Sequence, residues 1–153
     1  MYMKGLQNTN MKVLVVDDSQ AMRTAIKLFL KELGCTHIAE ADDGERAIAM
    51  LQSGEFGLVI SDWNMPGMDG IELLKMVRQD DRLKNMPFLM ISADGENKKI
   101  TEAIRAGADG YMVKPVSDET LLQNIMKAFA RHLWQHKDMP NEMGVETPAG
   151  DDK

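Results

Sequence analysis

The sequence predicts an α/β domain, a parallel sheet of five strands with helices on both faces. Short apolar runs rich in β-branched residues recur along the chain, MKVLVV at 11–16 being the clearest. Each run is followed by a stretch with apolar residues at helical spacing, and the loops between them are short and hold Gly, Pro, Asp or Ser. Repeated strand–helix alternation of this kind builds parallel sheets covered on both sides. A chain of 153 residues suits one such domain with a substantial core.

Met11–Val16 reads as a fully buried first strand. Ala21–Leu33 places Met22, Ile26, Phe29, Leu30 and Leu33 on one helical stripe, and Gly34 is a natural stop. Thr36–Ala41 is a weaker second strand. Asp42 and Glu45 have capping-box spacing before a helix over Glu45–Gln52, which Gly54 ends. Gly57–Ser61 is the third strand. Asp69 and Glu72 have the same capping spacing and open a helix over Gly70–Gln79. Met86–Ile91 is the fourth strand, followed by a helix from about Glu96 to Ala106 that Gly107 stops. Gly110–Val113 is a short fifth strand, and Ser117 can cap a last helix running to about Leu133. There is no internal repeat. Residues 1–10 form an N-terminal segment. Residues 134–153, rich in Pro, Gly, Asn and acids, are expected to form a mobile tail.

Composition excludes several classes. A net charge of −6 argues against a phosphate-backbone binder, so no nucleic acid is expected, and it favours no membrane surface. No apolar run approaches the ~20 residues of a membrane span, and the start, MYMKGLQNTN, lacks the apolar core of a signal peptide. Cys35 has no partner for an internal disulfide, which fits a reducing compartment. The expectation is a cytoplasmic protein, and no long apolar heptad suggests an obligate dimer, so a monomer is expected. The 14 methionines read as gap-fillers of a core or as an adaptable partner surface.

In open parallel sheets ligands bind beyond the carboxyl ends of the strands. Asp17 and Asp18 follow the first strand, Asp62 the third, Ser92 the fourth, and Lys114 and Pro115 the fifth. The second ends near Glu40, read as solvated. Three carboxylates at one edge repel one another unless some are protonated or a cation sits among them. Magnesium, a hard cation that keeps several waters and needs only one or two protein carboxylates, suits such a site. A carboxylate can also accept a phosphoryl group as an acyl phosphate. Asp62 could take that role, Lys114 could pair with one phosphoryl oxygen and Ser92 donate to another. Each residue also has a plainer role. Asp18 or Ser19 could cap the first helix, Asp62 could stabilise the bend before Pro66-Gly67, Ser92 could cap the fourth helix, and Lys114 could be a solubilising strand end.

The segments VLVVDDS, VISDWNMPGMDG, MISAD and GYMVKP resemble, in order and spacing, the four signature segments of the receiver domain of two-component response regulators. The match spans about Met11 to Leu133. SDWNMP together with KELG and a single-domain length is most similar to the single-domain chemotaxis response regulators. The resemblance implies a flavodoxin-like sheet in the order 2-1-3-4-5, and a switch rather than an enzyme with a separate substrate. It implies that Asp62 is the phosphoacceptor and that Asp17, Asp18, Asp62 and the Asn64 carbonyl hold Mg2+. Ser92 and Lys114 would contact the phosphoryl group, and Ser92 and Tyr111 would be the switch residues. Asn64 and Asp94 would tune phosphoryl lifetime, and the bond before Pro115 would be cis. The implied partners are a sensor histidine kinase of the chemotaxis type, the flagellar motor switch protein and a phosphatase. The face built by the fourth helix, fifth strand and fifth helix would change on phosphorylation. Trp63 falls beside the metal site, as a fluorescent reporter or simply an aromatic lid.

Some positions depart from the family pattern. Glu96 and Asn97 stand at the start of the fourth helix where motor-binding relatives carry basic residues, and Lys98 and Lys99 follow. Asn124 lies where a lysine is frequent. A phosphate sink would use the same site residues. An aspartate-nucleophile phosphohydrolase would need Asp-x-Asp after the first strand and a cap domain, but DDSQ stands there and no loop is long enough. A flavin module would need a phosphate-cradling loop where the two aspartates are. His132 and His136 are spaced as a metal pair without an evident third ligand, and His37 reads as a surface residue at the second strand.

Overall fold

The computed structural model describes residues 11–136. Ten elements alternate: β1 (Lys12–Val16), α1 (Gln20–Glu32), β2 (His37–Ala41), α2 (Gly44–Ser53), β3 (Leu58–Asp62), α3 (Gly70–Gln79), β4 (Phe88–Ser92), α4 (Asn97–Ala106), β5 (Gly110–Val113) and α5 (Asp118–His136). The five strands form one parallel sheet in the order β2-β1-β3-β4-β5. The expected N-terminal segment, all but the first residues of the expected tail, and the His132 and His136 side chains lie outside what is described.

Side chains alternate across the inner strands. Val13, Val15, Leu58, Ile60, Leu89 and Ile91 pack on Ile26 and Leu30 of α1 and on Leu121 and Ile125 of α5. Leu14, Val16, Val59, Phe88 and Met90 face the other way, onto Leu51 of α2, Leu73, Leu74 and Val77 of α3 and Ala103 of α4. Both faces are covered, so the inner strands are continuous apolar runs rather than alternating ones. β2 lies at an edge and buries only Ala41 fully, which accounts for its weak pattern. The methionines serve in both ways: Met65, Met90 and Met112 are buried, whereas Met76 and Met126 are exposed.

The helix starts are set locally. Ser19, not Asp18, caps α1, its Oγ accepting from the Met22 amide at 3.2 Å. The expected Asp42–Glu45 box is corrected: Asp43 caps α2, accepting from the Arg46 amide at 2.8 Å. The helix opens one residue earlier than read, at Gly44, which packs where a Cβ would meet the Met68 carbonyl oxygen at 2.8 Å. The Asp69–Glu72 box forms in both directions at 3.0 Å. Ser117 caps α5 through the Thr120 amide at 3.1 Å. Ser92 does not cap α4, whose first turn has no side-chain cap.

Two strands run further than the sequence suggests. β3 includes Asp62, paired with Ile91, and β4 includes Ser92, paired with Val113. Their polar side chains do not interrupt the ladder, because pairing is a backbone property. β4 begins at Phe88 rather than Met86, since Pro87 has no amide to donate, although its carbonyl accepts from Val59 at 2.9 Å. At the amino edge of the sheet Arg78 donates to the carbonyls of Met86 (2.7 Å) and Gly107 (2.8 Å) and to Asp109 (3.2 Å).

Candidate functional site

Asp17 follows β1 and is 1% exposed. Its amide donates to the Ala41 carbonyl at 3.1 Å. Its Oδ1 accepts from the Ser19 amide at 2.9 Å, and its carbonyl accepts from Arg23 Nη1 at 2.7 Å. Asp62 ends β3 at 4% exposure. Gly70 lets α3 pack close behind it, for a Cβ there would overlap the Asp62 carbonyl oxygen. Carboxylate oxygens of Asp17, Asp18 and Asp62 lie within 4.8 Å of one another.

Lys114, just past β5, brings Nζ to 3.1 Å from Asp62 Oδ1 and 3.8 Å from Asp17 Oδ2. The approach to Asp62 is an ion pair. Both carboxylate oxygens remain buried without a hydrogen-bond donor. Burial pushes the Asp17 carboxyl above the usual carboxylate range; the Ser19 amide opposes this and the neighbouring Asp62 charge adds to it. Burial also raises Asp62, with Lys114 pulling the other way. Three carboxylates face one ammonium, and two of their oxygens are unsatisfied. An all-oxygen, anionic donor set of this kind fits a hard divalent cation such as Mg2+.

The remaining predicted residues gather around this group. Ser92 is 1% exposed at the end of β4, and its Oγ accepts from the Asp94 amide at 3.0 Å. The Lys114–Pro115 peptide is cis. Tyr111 on β5 donates its hydroxyl to the Asp94 carbonyl at 2.6 Å, which ties it to the loop after Ser92, and burial raises its phenol. Asp94 Oδ1 accepts from the Glu96 amide at 2.9 Å. Asn64 is exposed and, with Asp18, lines a shallow depression beside Asp62. Trp63 is not an open lid: it is 4% exposed, packed edge-on to Tyr111 at 6.2 Å between centroids, with Lys99 Nζ 4.3 Å over its ring. His37 is exposed at the start of β2.

Sequence reasoning missed Arg23 and the pairing of Glu40. Glu40 is exposed, as expected, and is also ion-paired, to Arg23 Nε at 2.9 Å and Lys27 Nζ at 2.7 Å. Those hydrogen bonds, Lys27's the stronger influence, hold its carboxyl below the usual range. The available signal was Glu40 standing at the end of β2, the one strand end left without a role.

The sequence model of the response regulator receiver domain matches residues 13–126. The chain belongs to the receiver domain family. This receiver is 48% identical over 129 residues to chemotaxis protein CheY-3 of Vibrio cholerae, covering 84% of this chain and 99% of that one. It is 51% identical over 121 residues to chemotaxis protein CheY of Pseudomonas aeruginosa, covering 79% and 98% of the two chains. Among solved structures, the chemotaxis response regulator CheY4 of Vibrio cholerae superposes with a TM-score of 0.73 at 38% identity, covering 78% of this receiver and 99% of CheY4. The predicted fold class and family are therefore both observed: the chain is a response regulator receiver domain, similar over most of its length to chemotaxis proteins. Among the described residues, no helix is long and apolar enough to cross a membrane.

Proposed function

We propose that this receiver is a phosphorylation-controlled switch of a chemotaxis pathway, with Asp62 as its phosphoacceptor. The observation that carries the reading is Asp62 itself: a buried carboxylate at a strand end, with one oxygen lacking a donor and an ammonium 3.1 Å away. An Asp62 carboxylate oxygen attacks the phosphorus of a kinase phosphohistidine, the P–N bond breaks, and its electrons return to the imidazole. Asp17, Asp18, Asp62 and the Asn64 carbonyl would hold Mg2+, which would supply positive charge against the phosphoryl oxygens. Lys114 pairs with one phosphoryl oxygen and orients the group for in-line transfer. Ser92 Oγ, which accepts from the Asp94 amide, donates its own hydroxyl proton to a phosphoryl oxygen and is drawn toward it with its loop. That shift reaches Tyr111 through the loop to which its hydroxyl is bonded, and so changes the α4–β5–α5 face. Asn64 and Asp94, at the rim, set how water reaches the acyl phosphate and so its lifetime.

The face in question exposes Ile104, Val113 and Met126, one apolar side chain on each of its elements, which suits a protein partner. We assign the flagellar motor switch protein as that partner, a chemotaxis sensor histidine kinase as donor, and a phosphatase as the resetting partner. The protein acts as a cytoplasmic monomer, consistent with its single, buried, unpaired Cys35. Exposed Glu96 and Asn97 at the start of α4 favour a phosphate sink as the second reading. Capture of the motor switch protein by the phosphorylated form separates the two. The primary test is intact mass after incubation with acetyl phosphate. One phosphoryl addition is expected, dependent on Mg2+ and lost in Asp62→Asn; stoichiometric labelling of that variant would refute the assignment.

A further inference from the structure

Arg23 and Glu40 have no place in the switch just described, yet they join its acid loop to the rest of the sheet. Arg23 lies in the first turn of α1, 15% exposed at its side chain. One guanidinium nitrogen donates to the Asp17 carbonyl at 2.7 Å and another to Glu40 at 2.9 Å. The two bonds use the fixed fork of the guanidinium, which a lysine lacks. Glu40 is held from its other oxygen by Lys27 at 2.7 Å. Asp17 is thereby fixed at its amide, its carbonyl and its Oδ1, and only Oδ2 is left without a donor, facing the site.

We infer that Arg23 is a positioning residue for the cation site, holding the Asp17 turn so that Oδ2 points at Asp62, with Glu40 fixing the guanidinium in turn. This rests on the reading of Asp17, Asp18 and Asp62 as a cation site. Groups that orient metal ligands without touching the metal typically contribute 10–100-fold in affinity. The sign of the effect separates positioning from simple charge. Arg23 is a cation beside an acidic site, so if only its charge mattered, removing it would tighten Mg2+ binding. If it positions Asp17, removing it weakens binding despite the lost repulsion.

The experiment is a Mg2+ titration followed by Trp63 emission in a Trp134→Phe background, with Mg2+-induced thermal stabilisation as a second readout. Arg23→Met is expected to raise the Mg2+ Kd by about tenfold. Arg23→Lys keeps the charge, loses the fork, and is expected to raise it several-fold. Lys27→Met removes the other cation on Glu40 without touching Asp17 and is expected to leave the Kd within about twofold. An unchanged or tighter Kd in Arg23→Met overturns the inference. If that variant does not fold, an unchanged Kd in Arg23→Lys does so. A parent protein that shows no Mg2+ response overturns the cation-site reading itself, and this inference with it.

Discussion

Replacing Asp62 by Asn should make the metal-free protein more stable at neutral pH, although it removes an ion pair. The magnitude follows from the distances. At an effective dielectric constant of about 20, two unit charges 4.8 Å apart repel by about 3.5 kcal/mol, so Asp17 and Asp18 together oppose Asp62 by about 7 kcal/mol. Lys114 at 3.1 Å returns about 5 kcal/mol. The balance is unfavourable by about 2 kcal/mol before the burial penalty on a carboxylate that is 5% exposed is added. Asn keeps the shape and removes the charge, and Lys114 keeps Asp17 at 3.8 Å. A gain of about 1–3 kcal/mol is expected, a rise of roughly 3–10 °C in Tm for a domain of this size. The pH dependence follows from the raised carboxyl. A folded-state value above the ordinary 3.8 means that the folded form holds its proton more tightly. The destabilisation is therefore absent below the unfolded value and complete above the folded one. Urea unfolding in chelator should show a gap between variant and parent at pH 7 that closes in acid. A variant no more stable than the parent, or a gap that ignores pH, would refute this electrostatic account.

Two further substitutions probe the scaffold. Gly70→Ala places a Cβ on the Asp62 carbonyl oxygen and close to Met90, so a loss of about 2–4 kcal/mol is expected in urea unfolding. Arg78→Met takes donors from the Met86 and Gly107 carbonyls and from Asp109, and should cost about 2–4 kcal/mol by the same measure. The Mg2+ Kd of that variant should stay at the parent value, since Arg78 lies at the opposite edge of the sheet.

The order of elements was legible because both sheet faces are covered. Buried parallel strands such as MKVLVV are continuous apolar runs, and the helices between them carry an apolar stripe. The site was legible for a related reason: strand ends are where polar residues interrupt apolar runs, so Asp17, Asp62, Ser92 and Lys114 stand out. What was not legible depends on distance in three dimensions. Glu40 looks like any exposed acid until β2 is laid beside β1, which brings it to Arg23, 17 residues away along the chain. Trp63 reads in sequence only as a neighbour of the acid site, yet the fold buries it against Tyr111 and Lys99. At α2 two adjacent aspartates could each serve as the cap by sequence, and the structure uses Asp43, which accepts from the Arg46 amide.

The two ends of the sheet hold the same chemistry arranged to opposite effect. At the amino edge Asp109 is 8% exposed, and its carboxylate receives the Phe88 amide at 2.9 Å, Arg78 at 3.2 Å and Arg131 at 3.3 Å. That buried acid is satisfied, and it ties β4, α3 and α5 together. At the carboxyl edge two buried aspartates and a third beside them share one ammonium, and two oxygens have no donor. A chain able to satisfy one buried carboxylate with two arginines could neutralise the others in the same way. Doing so would fill the space between Asp17 and Asp62 with a side chain. Leaving the oxygens unsatisfied lowers the stability of the free protein and leaves that energy available to whatever binds there. A divalent cation would supply the missing positive charge and take the unsatisfied oxygens as ligands. The same deficit that should make Asp62→Asn stabilising in chelator would then be the source of affinity for a cation there. Arg23 satisfies the Asp17 carbonyl while leaving Oδ2 open.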